Sequence, residues 1–171
     1  LITQNKGVVM QKVLFPILII IFLSIPLISA DAIKTESSDL ELTKRVYQMV
    51  NDYRAAHGLR RLKAKKALNE IALEHSHDMS LGRVEFSHKG FEARAQSIKQ
   101  YARVAYTVSE NLFYYQGTGN EDIAKEALQG WKNSPGHKEN MEGDFLFTGV
   151  GVAKSRKGEY YVTQIFVGKK K

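Results

Sequence analysis

Three polar residues of this 171-residue chain stand where chemistry is possible. His88 lies in Phe86-Ser87-His88-Lys89-Gly90, a loop sequence that Phe86 and Phe91 can pin. Glu110 opens an aromatic run, Glu110-Asn111-Leu112-Phe113-Tyr114-Tyr115. His137 follows Ser134-Pro135-Gly136, where proline fixes φ and glycine permits close backbone approach, so a turn there holds the imidazole firmly. Two imidazoles and a carboxylate are a general-base, hydrogen-bonding or zinc-ligating set. A carboxylate facing inward from a strand needs a partner, because an unpaired buried charge is costly. His88 or His137 is the expected partner. The plainer readings stand beside these: a solvated loop histidine, an exposed edge carboxylate, a surface histidine on a helix-capping turn. His75 falls on the apolar stripe of a helix and reads as a satisfied core residue, with His77 on the same helix. His57 precedes Gly58 at a helix end, where the dipole favours it. No H-E-x-x-H, G-x-S-x-G or P-loop pattern occurs, so the usual metalloprotease, hydrolase and nucleotide-binding signatures are missing.

The elements that must position these residues follow from periodicity. Leu42, Val46, Val50 and Tyr53 recur at helical spacing; Ser38 with Glu41 reads as a capping box and Gly58 as the stop. A second helix is predicted from about Lys66 to Leu81, with Leu68, Ile71, Ala72, His75 and Met79 on its apolar face and Gly82 at its end. Glu92 to Tyr101 reads as a weaker helix. Glu121 to Lys132 reads as a fourth, with Ile123, Ala127 and Trp131 one turn apart. Strands are predicted at Ser109–Tyr115, Phe145–Ala153 and Tyr160–Val167, the last two joined as a hairpin by the turn Ser155–Gly158. Within Phe145–Ala153, Phe145, Phe147, Gly149 and Gly151 are expected to point one way and Leu146, Val150 and Val152 mostly the other. Helices first and strands last suggest an α+β sandwich.

The first 32 residues read as a secretory signal. Lys6 and Lys12 precede an apolar run, Val13 to Leu27, and Ala30-Asp31-Ala32 supplies the small residues of a cleavage site. The alternative is an uncleaved membrane anchor, for which a run broken by Pro16 and Pro26 is marginal. The expected organisation is therefore signal 1–32, linker 33–39 and one domain over 40–171, secreted. There is no cysteine, which excludes disulfides, thiolate metal sites and a cysteine nucleophile. The net charge of +7 favours anionic partners. The basic residues are scattered without interleaved aromatics, so nucleic acid is not an expected partner.

Taken in order, several pieces resemble the CAP superfamily, the SCP-like extracellular domains of cysteine-rich secretory, antigen 5 and pathogenesis-related proteins. They are Asn51-Asp52-Tyr53-Arg54, Ala72-Leu73-Glu74-His75 with Met79, Phe86-Ser87-His88, Ser109-Glu110-Asn111-Leu112, Trp131 through Asn140, Gly149-Val150-Gly151 and Thr163-Gln164-Ile165-Phe166. The Ser134-Pro135-Gly136-His137 form is similar to the bacterial and archaeal branch. The resemblance covers about Leu42 to Val167 and implies a three-layer α-β-α sandwich with a central antiparallel sheet. It also implies a cleft of two histidines and two acidic residues, in several members a divalent-metal site. His88 and Glu110 match that set. Ser134 stands where animal and plant members carry the second glutamate, and Tyr161 where they carry the second histidine; His137 is the candidate replacement from another loop.

The expected function is a secreted binding module whose His88, Glu110 and His137 cleft takes an amphipathic or lipid ligand, or a protein partner. A divalent ion such as zinc is expected to bind weakly to the same three residues. An envelope-polymer interaction domain is the alternative, and a metal-assisted hydrolase or protease the third.

Overall fold

The computed structural model describes residues 30–99, 106–117 and 122–169. Of the expected signal, 1–32, residues 1–29 lie outside them, and Ala30-Asp31-Ala32 begins the first helix. In chain order the elements are α1 (Ala30–Ala56), β1 (Lys63–Ala64), α2 (Lys66–Ser80), α3 (Phe91–Lys99), β2 (Tyr106–Tyr115), α4 (Ile123–Asn133), α5 (Pro135–Glu142), β3 (Phe147–Lys154) and β4 (Tyr160–Lys169). Among the described residues no helix is long and apolar enough to cross a membrane.

The strands form one sheet in the order β1-β3-β4-β2. β3 and β4 are the expected hairpin, with Gly151 opposite Thr163. β2 pairs antiparallel with β4 along its whole length, Glu110 opposite Ile165 and Asn111 opposite Gln164. β1 was not visible in the sequence and pairs parallel with β3, so the sheet is antiparallel apart from this two-residue strand.

Helices cover both faces, giving three layers. On one face α2 and α3 bury Leu68, Ala72 and Ile98 against Ile165 and Val167. On the other, α1, α4 and α5 bury Val46, Val50, Ala127, Trp131 and Met141 against Val150, Val152, Val162 and Phe166. Burial of these side chains, each worth about 1.5–3 kcal/mol when an aliphatic or aromatic group is fully covered, holds a fold that has no disulfide. Gly58 and Gly82 both take positive φ, 70° and 69°, and end the chain reversals after α1 and α2 as glycine does most readily.

Several expectations shift. α1 starts at Ala30, so residues 33–39 are helical and Ser38 lies inside the helix instead of capping it. The Ser134-Pro135-Gly136 segment is the first turn of α5, with proline at a position where its missing N–H costs nothing. Phe145 precedes β3 and packs with Phe166 in the α1 core, opposite to the side expected from strict alternation. Gly149 and Gly151 do face α2. A Cβ added at either would stand 2.1 Å from the backbone of Leu68 or Leu73, so α2 lies directly on β3.

Candidate functional site

β2 is an edge strand, and its edge is where the two helical layers meet. Its residues alternate between the layers. Glu110, opposite Ile165, projects toward α3; Asn111, opposite Gln164, projects toward α5. Along the free edge, the carbonyl of Leu112 accepts from Trp131 Nε1 at 2.9 Å and that of Glu110 from Asn140 Nδ2 at 3.3 Å. An indole and an amide thus occupy edge acceptors that would otherwise invite another strand.

Asn111 fixes the helix that carries His137. Its Nδ2 donates to the His137 carbonyl at 2.9 Å, while its Oδ1 accepts from Asn140 Nδ2 at 2.9 Å. Asn111 itself is fully buried, so both bonds are at least partly shielded from water. The far end of α5 is held from α1. The buried Arg54 guanidinium donates to the carbonyls of Met141 and Gly143, and its Nε to that of Arg60 at 2.8 Å. Tyr53 donates its hydroxyl to Glu142 at 2.5 Å; burial first, then this carboxylate, pushes its phenol up to about 12.

Glu110 is buried, its side chain 1% exposed. Its main partner is Arg94 on α3, which the sequence reading did not identify. Arg94 Nη2 donates to Glu110 Oε1 at 2.7 Å and its Nε to Oε2 at 2.8 Å, a two-bonded fork. The third guanidinium nitrogen donates to the carbonyl of Lys89 at 3.0 Å, which ties the α2–α3 loop to the same pair. Only then does His88 enter: its Nδ1 lies 3.0 Å from Glu110 Oε1. A carboxylate paired in this way accepts only, so Nδ1 carries a proton, and in the neutral ring Nε2 presents a lone pair. The His88 side chain is half exposed.

His137 stands across the cleft, with ring centroids 6.4 Å apart. Burial, then the neighbouring His88, holds its pKa below the usual imidazole value, favouring the neutral ring. The structure therefore brings His88, Glu110 and His137 together, and adds Arg94, Asn111 and Asn140. Asn111 and Asn140 sit inside stretches the sequence reading had singled out. Arg94 carried no signal beyond the general need of a buried carboxylate for a cation.

The hollow between these groups has a volume of about 250 Å³ and is lined by His88, Phe91, Val108, Ser109, Glu110 and Asn140. A larger one, about 420 Å³, lies along Pro135, Lys138, Glu139, Glu142 and Gly143. It holds no imidazole and no large apolar side chain, so the smaller cleft is the one with chemistry. The other histidines serve structure. Buried His75 donates from Nε2 to the Ser87 carbonyl at 3.1 Å, steadying the residue before His88. His57 Nδ1 lies 2.7 Å from the Tyr53 carbonyl in the last turn of α1. Among the described residues, no group of three or more histidine, aspartate and glutamate side chains is arranged to hold a metal ion.

Comparison with known proteins places the fold in a family. A Bacillus subtilis protein described as an uncharacterized membrane protein is 30% identical over 131 residues, covering 72% of this chain and 34% of its own length. A second uncharacterized B. subtilis protein is 29% identical over 128 residues, covering 74% of this chain and 47% of its own. The chain thus spans about a third to a half of the curated relatives it matches. Among solved structures, an extracellular SCP-domain protein from Bacillus anthracis superposes with a TM-score of 0.63 at 27% identity, covering 83% of this chain and 44% of its own. An outer surface protein of Borrelia burgdorferi gives 0.62 at 21% identity, covering 76% of this chain and 94% of its own, a likeness of fold. The sequence profile of the cysteine-rich secretory protein family matches residues 47–166, from the middle of α1 to the end of the β4 core. The profile match over most of the chain, with the shared fold, makes this chain a member of the CAP, or cysteine-rich secretory protein, family.

Proposed function

We propose that the chain is a binding module that works outside the cytoplasmic membrane, and that the cleft at the edge of β2 receives one end of an amphipathic ligand or partner. The observation that carries this reading is the make-up of the cleft. Phe91 and Val108 give it apolar surface; His88, Ser109, Glu110 and Asn140 give it polar groups, most of them already fixed by hydrogen bonds. Orientation without mobility is what recognition requires. At about 250 Å³ the cleft is smaller than pockets that enclose a drug-sized molecule, so it grips part of a ligand. Action outside the membrane is supported by the signal-like first 32 residues and by the similar extracellular protein of B. anthracis. A divalent ion enters this reading as a weak occupant: with Glu110 held by Arg94, the donors left open are His88 Nε2 and the His137 ring. Among the described residues the His88 ring bonds to Glu110 and to no hydroxyl, which favours binding over a base-activated nucleophile.

The test is a titration followed by amide chemical shifts, using dodecylphosphocholine below its micelle concentration and a soluble anionic wall polymer as separate probes. Saturable shifts confined to Phe91, Val108–Glu110, His137 and Asn140 with the amphiphile are expected, and Val108→Asp should abolish them. Shifts only with the polymer, spread over surface lysines, would replace this reading with envelope interaction. No saturable shift with either probe would overturn both.

A further inference from the structure

We infer that Arg94 is a built-in cation at Glu110, occupying the charge position that a metal ion would otherwise fill, so that this cleft discriminates against divalent cations. The inference concerns cation selectivity and stands whatever ligand the cleft receives.

The guanidinium is fixed on three sides. Two of its nitrogens bond the two carboxylate oxygens at 2.7 and 2.8 Å, and the third bonds the Lys89 carbonyl at 3.0 Å. The pair is enclosed, with Arg94 14% and Glu110 1% exposed by side chain. Gly90 leaves the room for it: a Cβ there would stand 3.2 Å from Arg94 Nη1. A zinc ion needs a carboxylate oxygen at about 2.0–2.2 Å with a free lone pair directed at it. Here Oε2 carries an Arg94 hydrogen bond and Oε1 carries two, from Arg94 and His88. An ion close enough to use either oxygen would also lie beside a permanent positive charge in a site sheltered from water, where repulsion is strong. Arginine does not lose its proton to relieve this. The donors present therefore do not fit a three-ligand metal site. Glu110 acts instead as a positioning residue: it accepts a hydrogen bond from His88 Nδ1–H and so turns Nε2 outward. The cleft is left to select groups that offer an O–H or N–H to that nitrogen.

Zinc alone is the probe, titrated calorimetrically at neutral pH into the full chain. Wild type is expected to bind weakly. Arg94→Met, which keeps an apolar stem and removes the charge, should bind at least about ten-fold more tightly, because the repelling charge is gone and the Glu110 carboxylate is freed to attract the ion. Adding Glu110→Gln to that variant should return the affinity to the wild-type value. If Arg94→Met does not fold, as judged by circular dichroism, Arg94→Gln is used. It keeps an N–H donor for Glu110 without the charge, and should show a gain of the same sign. A folded Arg94 variant with unchanged zinc affinity overturns the inference. So does wild-type binding that the paired Arg94→Met, Glu110→Gln substitution weakens ten-fold or more, since Glu110 would then be a ligand despite Arg94.

Discussion

Replacing Gly151 by alanine tests the packing that places the whole α2–α3 side of the cleft. The new Cβ would stand 2.1 Å from Leu73 N, 2.3 Å from Ala72 C and 2.4 Å from Leu73 Cα. Ordinary carbon contacts lie near 3.5–4.0 Å, so α2 and β3 would have to part by more than about 1 Å. The atoms met are backbone on both sides and no rotamer change relieves the overlap. Overpacking of a core costs about 1–3 kcal/mol where side chains can move, and here the upper end is the starting point. Parting α2 from β3 also breaks two buried bonds of Ser76, to the Gly151 carbonyl at 3.0 Å and to Thr163 Oγ1 at 2.8 Å, at about 1 kcal/mol each. The expected loss is about 4–5 kcal/mol, a large share of the roughly 5–15 kcal/mol that holds a typical domain. For a domain of this size that lowers the melting temperature by roughly 15 °C. Thermal unfolding followed by circular dichroism measures it, with Gly136→Ala as the control. Nothing lies within 4 Å of a Cβ at Gly136, in the first turn of α5. Alanine there should stabilise by roughly 0.5–1 kcal/mol. A Gly151→Ala protein melting within a few degrees of wild type would refute the claim that α2 rests on bare backbone.

Two further outcomes follow from groups that hold the cleft without entering it. Arg54→Met leaves three carbonyls without their buried donor and should cost about 3–5 kcal/mol, read as a lower urea midpoint at unchanged slope; a shift worth under 1 kcal/mol would refute the clamp on α5. Burial first, then the Arg94 charge, holds the pKa of His75 below 6.5, so the unfolded chain takes up the proton more readily than the folded one. The stabilisation is complete above about pH 6.5 and is lost progressively as pH falls toward the folded value. His75→Gln, which keeps a donor for the Ser87 carbonyl, should flatten that part of the stability–pH curve; an unchanged curve would show that His75 is not its source.

What was legible in the sequence is what repeats within one element. Leu68, Ala72, His75 and Met79 are all buried on α2, and Ile123, Ala127 and Trp131 on α4, because a stripe at helical spacing reports its own burial. α5 gave no such stripe. It has eight residues, and its one fully buried residue is Met141. Its position is held by Asn111 and Arg54, both distant in sequence. β1 is two exposed residues that become a strand only through the backbone of Leu146 and Thr148. Ser38 and Glu41 satisfy a capping pattern that predicts a helix start there, yet the helix runs through them back to Ala30.

The site itself was half legible, and the division has a cause. Ser109-Glu110-Asn111-Leu112 could be marked as unusual, but its use depends on strand order. β4, last in the chain, is inserted between β3 and β2, which puts β2 at the edge of the sheet. In a central position, Glu110 and Asn111 would each meet a single covering layer, with no access from the side. At the edge, the α2–α3 loop can reach Glu110 from one layer while α5 reaches the same strand from the other. Neighbouring residues that point to opposite faces thereby serve one cleft: Glu110 orients His88, and Asn111 holds the helix of His137. His88 and His137 lie 49 positions apart and belong to opposite layers, so no local pattern relates them. The pairing of Arg94 with Glu110 is of the same kind. An arginine in the first turn of a polar helix has no distinguishing neighbour in sequence, and its role exists only once β2 has been placed beneath α3.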